Sequence, residues 1–113
     1  MTGIRGAIAE VSNTSDEIID SSKDLFIQLL ERNNLDITKI TSVIFTVTHD
    51  LTEAFPAKAI RKLGYTSIAA IDTLAPNIAN DLKGCIRVLV HYDEDIVPDH
   101  VYLGKAKNLR PDR

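Results

Sequence analysis

The sequence predicts an α+β protein in which a mixed β-sheet is covered by two main helices. Five short segments rich in β-branched or aromatic residues, two segments with helix signals and the order β-α-β-α-β-β-β support this class. The 113 residues are expected to form a single domain over residues 1–113, which buries roughly 60–70% of its unfolded surface. So small a sheet closes poorly by itself, and assembly into an oligomer would stabilise it.

The first strand and the first helix have distinct signals. Residues 1–11 alternate small and branched apolar residues around Arg5, which predicts a strand. Thr14 and Glu17 then fit a capping box, in which the hydroxyl accepts from a helix amide and the glutamate reaches back to the cap. The apolar face of the following helix consists of Ile18, Ser22, Leu25, Phe26, Leu29 and Leu30. This face is expected to cover the sheet, and residues 32–34 end the helix.

The middle of the chain predicts a strand and a short helix. Residues 42–48 are almost uninterrupted in apolarity, which indicates a strand covered on both faces or lying at an interface. Pro56 can open a second helix over residues 56–63, because its fixed φ and missing N–H suit the first turn. Gly64 supplies the C-terminal stop.

The second half of the chain predicts mostly strands. In order, these elements are a third strand at 65–71, an irregular stretch at 72–84, a fourth strand at 85–92, a polar loop at 93–99, a fifth strand at 100–103 and a turn at 104–112. The fourth strand carries Arg87 at its centre, among residues whose apolarity predicts burial.

Composition limits the partners. With 16 acids, 13 bases and a net charge of −3, the chain has no general field that would attract nucleic acid or an anionic membrane. Cys85 is the only cysteine, so an internal disulfide is impossible, which fits a reducing cytoplasm. Residues 1–10 contain no long apolar run of the kind that a signal peptide needs, and no 18-residue apolar span occurs in the sequence, so a cytoplasmic protein is expected.

The sequence shows no motif for a metal site, a phosphate-binding loop or a catalytic nucleophile. His49, His91 and His100 lack the short spacing of metal ligands, and the five glycines are too scattered for a phosphate loop. Cys85 has no elbow motif around it and is better explained as a buried filler. We therefore expect no metal and no cofactor.

Five cations in apolar settings remain. Lys58, Arg61 and Arg110 are more often surface residues or halves of ion pairs. Arg5 and Arg87 differ, because both lie at strand centres, and burying an ion costs several kcal/mol unless it is paired. Either this chain supplies the partner, or a ligand with carboxylates does, through forked charge-assisted hydrogen bonds.

Four sequence blocks resemble a known family. They are "GIRGA" at residues 3–7, "TVTHDLTEAFPAKAIR" at 46–61, "GCIRVLV" at 84–90 and "HVYLGKAKNLRPD" at 100–112. In this order and spacing they resemble the monofunctional, trimeric chorismate mutases of the pseudo-α/β-barrel type. The resemblance implies a homotrimer with active sites between subunits and the isomerisation of chorismate to prephenate, in the shikimate pathway to phenylalanine and tyrosine. A unimolecular pericyclic reaction needs no nucleophile, metal or cofactor.

The resemblance also implies roles for particular residues. Arg87 would donate to the ether oxygen of the substrate, while Arg5 grips a carboxylate and Tyr102 donates its hydroxyl on the same side. The neighbouring subunit would contribute Phe55, Lys58 and Arg61 as a wall and a cationic rim, and the segment of Ile71, Asp72, Thr73, Leu74 and Ala75 would line the site. Leu109 and Arg110 match a C-terminal segment that closes over it.

The chain departs from the family at one important position. Ala75 falls where the family has a glutamate that accepts from the ring hydroxyl, and Asp72 is the candidate to replace it. Loss of a hydrogen bond to a charged group costs roughly 1.5–3 kcal/mol, so we expect activity reduced by about one to two powers of ten.

Two alternatives stay open. The first is a protein of the same fold that binds a chorismate-like metabolite or a partner protein without turnover, which Ala75 motivates. The second is an imine-deaminase-like enzyme on the same trimeric architecture, against which the blocks "FPAKAIR" and "VYLGKAKNLRPD" argue.

Overall fold

The computed structural model describes residues 1–104 and 106, which form an α+β fold around one mixed sheet. The elements are β1 (Thr2–Ile8), α1 (Ser15–Arg32), a 3-10 turn (Ile37–Lys39), β2 (Ile40–Val47), α2 (Lys58–Lys62), β3 (Ala69–Leu74), β4 (Ile86–Tyr92) and β5 (Val101–Leu103). The strand order is β3-β2-β4-β1-β5, with β4 antiparallel to β1 and β2, and with parallel pairs at both edges. The predicted fold class is confirmed, whereas most of the turn predicted at 104–112 lies outside the described residues.

The two faces of the sheet differ. Ile4, Phe45 and Val88 are buried on one face with Leu25 and Phe26 of α1 and form the core. Because side chains alternate along a strand and registered neighbours share a face, the opposite face carries a different set. This set, the open face, includes Arg5, Ala7, Ile44, Thr46, Ile71, Thr73, Arg87, Leu89 and Tyr102. Neither α1 nor α2 packs against the open face.

Helix α1 begins as the sequence predicts, with one difference at the cap. The Thr14 hydroxyl accepts from the Glu17 amide at 3.2 Å. The amide of Thr14 donates to the Ser12 carbonyl at 2.8 Å, so it is already satisfied without the glutamate side chain. The reciprocal half of the predicted capping box is therefore wrong.

Replacing Thr14 by alanine is expected to destabilise the protein by about 1 kcal/mol, because a helix amide loses its acceptor. Urea unfolding at a fixed protein concentration measures this change. Thr66→Ala is the matched control, since Thr66 is an exposed loop residue. Equal unfolding midpoints for the two variants would contradict the assigned role of the cap.

Helix α2 is shorter than predicted, and its end explains the misplaced third strand. The amides of Lys58 and Ala59 donate to carbonyls three residues earlier, so residues 56 and 57 form a tight turn that precedes the helix. At the other end, the Gly64 amide donates to Arg61 and the Tyr65 amide to Ile60. These two bonds form a Schellman motif. Tyr65 therefore belongs to the helix terminus, and the strand begins at residue 69 rather than at 65.

Residues 72–74, predicted to be irregular, are the end of β3. They pair in parallel with residues 45–47 of β2, which a local sequence pattern does not reveal. No helix among the described residues has the length and apolarity needed to span a membrane.

Candidate active site

A cavity of ≈ 200 Å³ on the open face brings together both predicted strand arginines. Arg5 of β1 and Arg87 of β4 line it with Thr46 of β2, on a floor that includes Ile44 and Leu89. We call it the arginine cavity. It lies below the usual size of a ligand pocket, about 300–1,000 Å³. A further surface would have to complete it around a substrate.

Arg87 is the most exceptional group of this cavity. Its side chain is 23% exposed, and its nearest acid is Asp81, with 3.6 Å between Nη2 and Oδ2. That distance makes an ion pair but is too long for a hydrogen bond. Within the part of the chain that the structure describes, the guanidinium makes no hydrogen bond, although it has five N–H donors. No described residue therefore accepts a hydrogen bond from these donors.

Thr46 supplies a second unsatisfied group next to Arg87. The two residues are registered partners on β2 and β4, so their side chains are neighbours on the open face. The Thr46 hydroxyl is buried and makes no hydrogen bond among the described residues. Buried polar groups in native proteins are nearly always paired, so we expect this cavity to bind a ligand that carries polar atoms.

Arg5 and Tyr102 lie on the same face of the sheet as Arg87. Ala7 is the registered partner of both Arg87 and Tyr102, which places these two side chains on either side of β1. The amide of Arg5 donates to His100 Nδ1 at 2.9 Å, so that nitrogen carries no proton. This bond ties the segment before β5 to the strand that carries Arg5.

A second cavity, of ≈ 470 Å³, brings together other predicted site residues. Its lining includes Phe55, Lys58, Asp72, Thr73 and Leu74. We call it the Phe55 cavity, because Phe55 is 69% exposed there. Two other predicted residues lie nearby but do not line it: Arg61 is exposed on α2, and Ile71 is exposed on the open face beside Ile44. In one chain, the predicted site residues therefore line two cavities with no lining residue in common, although Thr73 of the Phe55 cavity is the registered partner of Thr46 in the arginine cavity.

Asp72 has a structural partner at the Phe55 cavity. Its Oδ1 accepts from the Ala57 amide at 2.8 Å, which holds the start of the turn before α2. Burial raises the pKa of Asp72, while the Ala57 hydrogen bond and the charge of Arg61 act in the opposite direction. Its predicted contact with the ring hydroxyl stays a prediction.

Ala75 lies in neither cavity. Its side chain is enclosed, with the residue 3% exposed, and its amide donates to the Val47 carbonyl at 2.9 Å. The Ala75 carbonyl accepts from His49 Nε2 at 3.0 Å. The carboxylate that sequence reasoning missed is Asp81, which lies in the segment predicted to be irregular. Leu109 and Arg110 lie outside the described residues.

The site carries no recognisable set of metal ligands. Among the described residues, no group of three or more His, Cys, Asp or Glu side chains could hold a metal ion. Cys85 is buried, as expected for a filler residue.

The α+β fold and the two arginines of the cavity agree with the family that the four sequence blocks resemble. A family model described as chorismate mutase type I matches residues 1–113, and the chain therefore belongs to this family. This confirms the resemblance read from the four sequence blocks.

Particular relatives are similar over nearly the whole chain. Chorismate mutase AroH of Thermus thermophilus is 39% identical over 97% of this chain and 93% of the relative. Chorismate mutase AroH of Bacillus subtilis is 35% identical over 97% of this chain and 90% of the relative. The solved structure of chorismate mutase from Clostridium thermocellum is similar with a TM-score of 0.92 and 40% identity, over 96% of this chain and 99% of that one.

Proposed function

We propose that the protein isomerises chorismate to prephenate, in clefts shared by neighbouring subunits of a homotrimer. The observation that carries the proposal is Arg87, a largely buried guanidinium with one long ion pair and no hydrogen bond in the described part of the chain. Family membership supplies the reaction, and the arginine cavity supplies a cation for it.

To accelerate this reaction, the protein must hold the substrate in one conformation and stabilise a developing negative charge. The substrate is a flexible dianion that must be held in its compact conformer, and negative charge builds on the ether oxygen as the C–O bond breaks. Holding the reactive conformer removes an entropic part of the barrier. Arg87 would donate to the ether oxygen as its charge grows, an interaction stronger in the transition state than in the ground state. Arg5 would bind a carboxylate, and Tyr102 would donate its hydroxyl beside it.

Two features support a site between subunits. The arginine cavity is small and opens on the open face, which neither α1 nor α2 covers in the described part of the chain. The Phe55 cavity lies elsewhere on the chain and holds the cation Lys58 beside an exposed aromatic ring. Placing the Phe55 cavity of one subunit against the arginine cavity of the next would complete one site, and symmetry would repeat it.

Ala75 is expected to change the rate of the reaction but not the kind of reaction that is catalysed. With an enclosed methyl group at this position, the site lacks the family glutamate, so we expect activity about one to two powers of ten lower than with it. A non-catalytic binder or an imine-deaminase-like enzyme finds no specific support in either cavity. A cytoplasmic location stays a prediction.

The test of the proposed function is the loss of chorismate absorbance in the presence of purified protein. A rate that rises in proportion to protein concentration and is inhibited by a bicyclic transition-state mimic is expected. A rate equal to the background reaction would refute the proposal.

Mixing two weakened variants tests the shared site. We expect Arg87→Ala and Lys58→Ala to lower activity separately, because each removes a cation from a different half of the site. In trimers assembled from equal amounts of both, about a quarter of the sites would receive both intact halves. Co-expression and an activity assay check this result. A mixture no more active than the average of the two variants would contradict a site shared between subunits.

A further inference from the structure

We propose that Asp81 is a positioning residue for Arg87, which fixes the guanidinium in the arginine cavity while leaving donors for the substrate. The inference rests on the proposed function. Asp81 is a loop residue to which the family resemblance gives no role.

The two oxygens of the Asp81 carboxylate have different partners. Oδ1 accepts from the Leu82 amide at 2.8 Å, which fixes the orientation of the carboxylate on its own loop. Oδ2 then faces Arg87 Nη2 at 3.6 Å. With a side chain only 13% exposed, the acid meets the guanidinium where solvent screens little of their attraction. The orientation of the Asp81 carboxylate is therefore fixed by its own loop and does not depend on Arg87.

The loop that carries Asp81 is anchored close to the acid. The Glu10 amide donates to the Lys83 carbonyl at 3.0 Å, and the Gly84 amide donates to Asp50 Oδ2 at 2.8 Å. The Asp81 amide itself donates to the Ile78 carbonyl at 3.3 Å. These bonds connect the loop to the chain after β1 and to the turn after β2. The position of Asp81 is thus set by the same framework that sets the strand of Arg87.

The geometry indicates that Asp81 positions Arg87 and does not block its access to the substrate. A carboxylate that competed with the substrate would make a forked pair with two short bonds, of about 2.7–2.9 Å. Asp81 instead approaches one terminal nitrogen, and at a longer distance. The other guanidinium nitrogen atoms are left for an oxygen that becomes anionic.

The effects of Asp81→Asn on kcat and KM distinguish a residue that positions Arg87 from one that competes with the substrate. We expect kcat to fall by about tenfold, because the guanidinium loses its fixed orientation. KM is expected to stay equal or to fall, because an acid near a dianionic substrate has been removed. Asp81→Glu keeps the charge on a longer side chain and should restore part of kcat. Asp20→Asn makes the same charge change on the exposed face of α1 and serves as the control.

Each outcome decides the inference. A reduced kcat with an unchanged or lower KM, and with partial recovery in Asp81→Glu, supports it. An unchanged or increased kcat in Asp81→Asn overturns it, and the increase would identify Asp81 as a competitor of the substrate. A raised KM together with a lowered unfolding midpoint would mean that Asp81 only supports the loop, which also overturns it. If the wild type itself shows no rate above background, the proposed function has failed instead.

Discussion

Arg87→Ala is expected to lower kcat by about 10²–10³-fold, the largest loss of activity for any single substitution in this chain. Removing one preorganised donor from a developing oxyanion typically raises the barrier by about 3–4 kcal/mol. Arg87 is placed to give this full effect, because its side chain is largely buried and its guanidinium makes no hydrogen bond in the described part of the chain. Loss of chorismate absorbance under saturating substrate measures the change.

Lysine at the same position tests the geometry of the donor. Arg87→Lys keeps the positive charge but loses the planar fork, so we expect activity between those of the wild type and the alanine variant. Arg32→Ala removes a cation from the exposed end of α1 and should leave the rate unchanged. Equal rates for the wild type and Arg87→Ala would end the enzyme interpretation, whatever the lysine variant shows.

The sequence places Arg5 and Arg87 in strands, as the structure has them, because the evidence for this is local. Strand periodicity predicts both arginines at strand centres, whereas the structure has Arg5 at the centre of β1 and Arg87 as the second residue of β4. The cost of burying an ion indicates that each needs a partner. The structure adds that both lie on the open face, opposite the face on which α1 packs. Since strand order and register depend on distant parts of the chain, the local pattern could not say which face this would be.

Asp81 and β3 were missed for related reasons. The acid is close to Arg87 because the loop before β4 is anchored to the chain after β1, a contact between residues far apart in sequence. The third strand starts late because Tyr65 is used by the end of α2. Gly64 predicts the helix stop, but Tyr65, which completes the Schellman motif, has an aromatic side chain typical of a strand and is predicted as a strand residue.

Gly84→Ala is expected to produce the largest loss of stability, about 3–4 kcal/mol. The residue has a φ of 58°, where a side chain costs about 1–2 kcal/mol. A Cβ there would lie 2.5 Å from the Val11 carbonyl oxygen and 2.7 Å from the Val11 nitrogen. These are backbone atoms, so the clash requires a movement of the chain after β1, for which overpacking adds about 1–3 kcal/mol. Urea unfolding at one protein concentration measures the loss, since the stability of the proposed trimer would depend on concentration.

Gly64→Ala is the matched control, because it makes the same substitution at a positive φ without the crowding. Gly64 has a φ of 89°, and a Cβ added there would meet nothing within 4 Å. It should therefore cost only the strain of the backbone, about 1–2 kcal/mol. The Gly84 variant should also lose activity, because Gly84 links the loop of Asp81 to the strand of Arg87. Equal losses of stability in the two variants would show that the chain after β1 yields easily, and that it does not hold this loop in place.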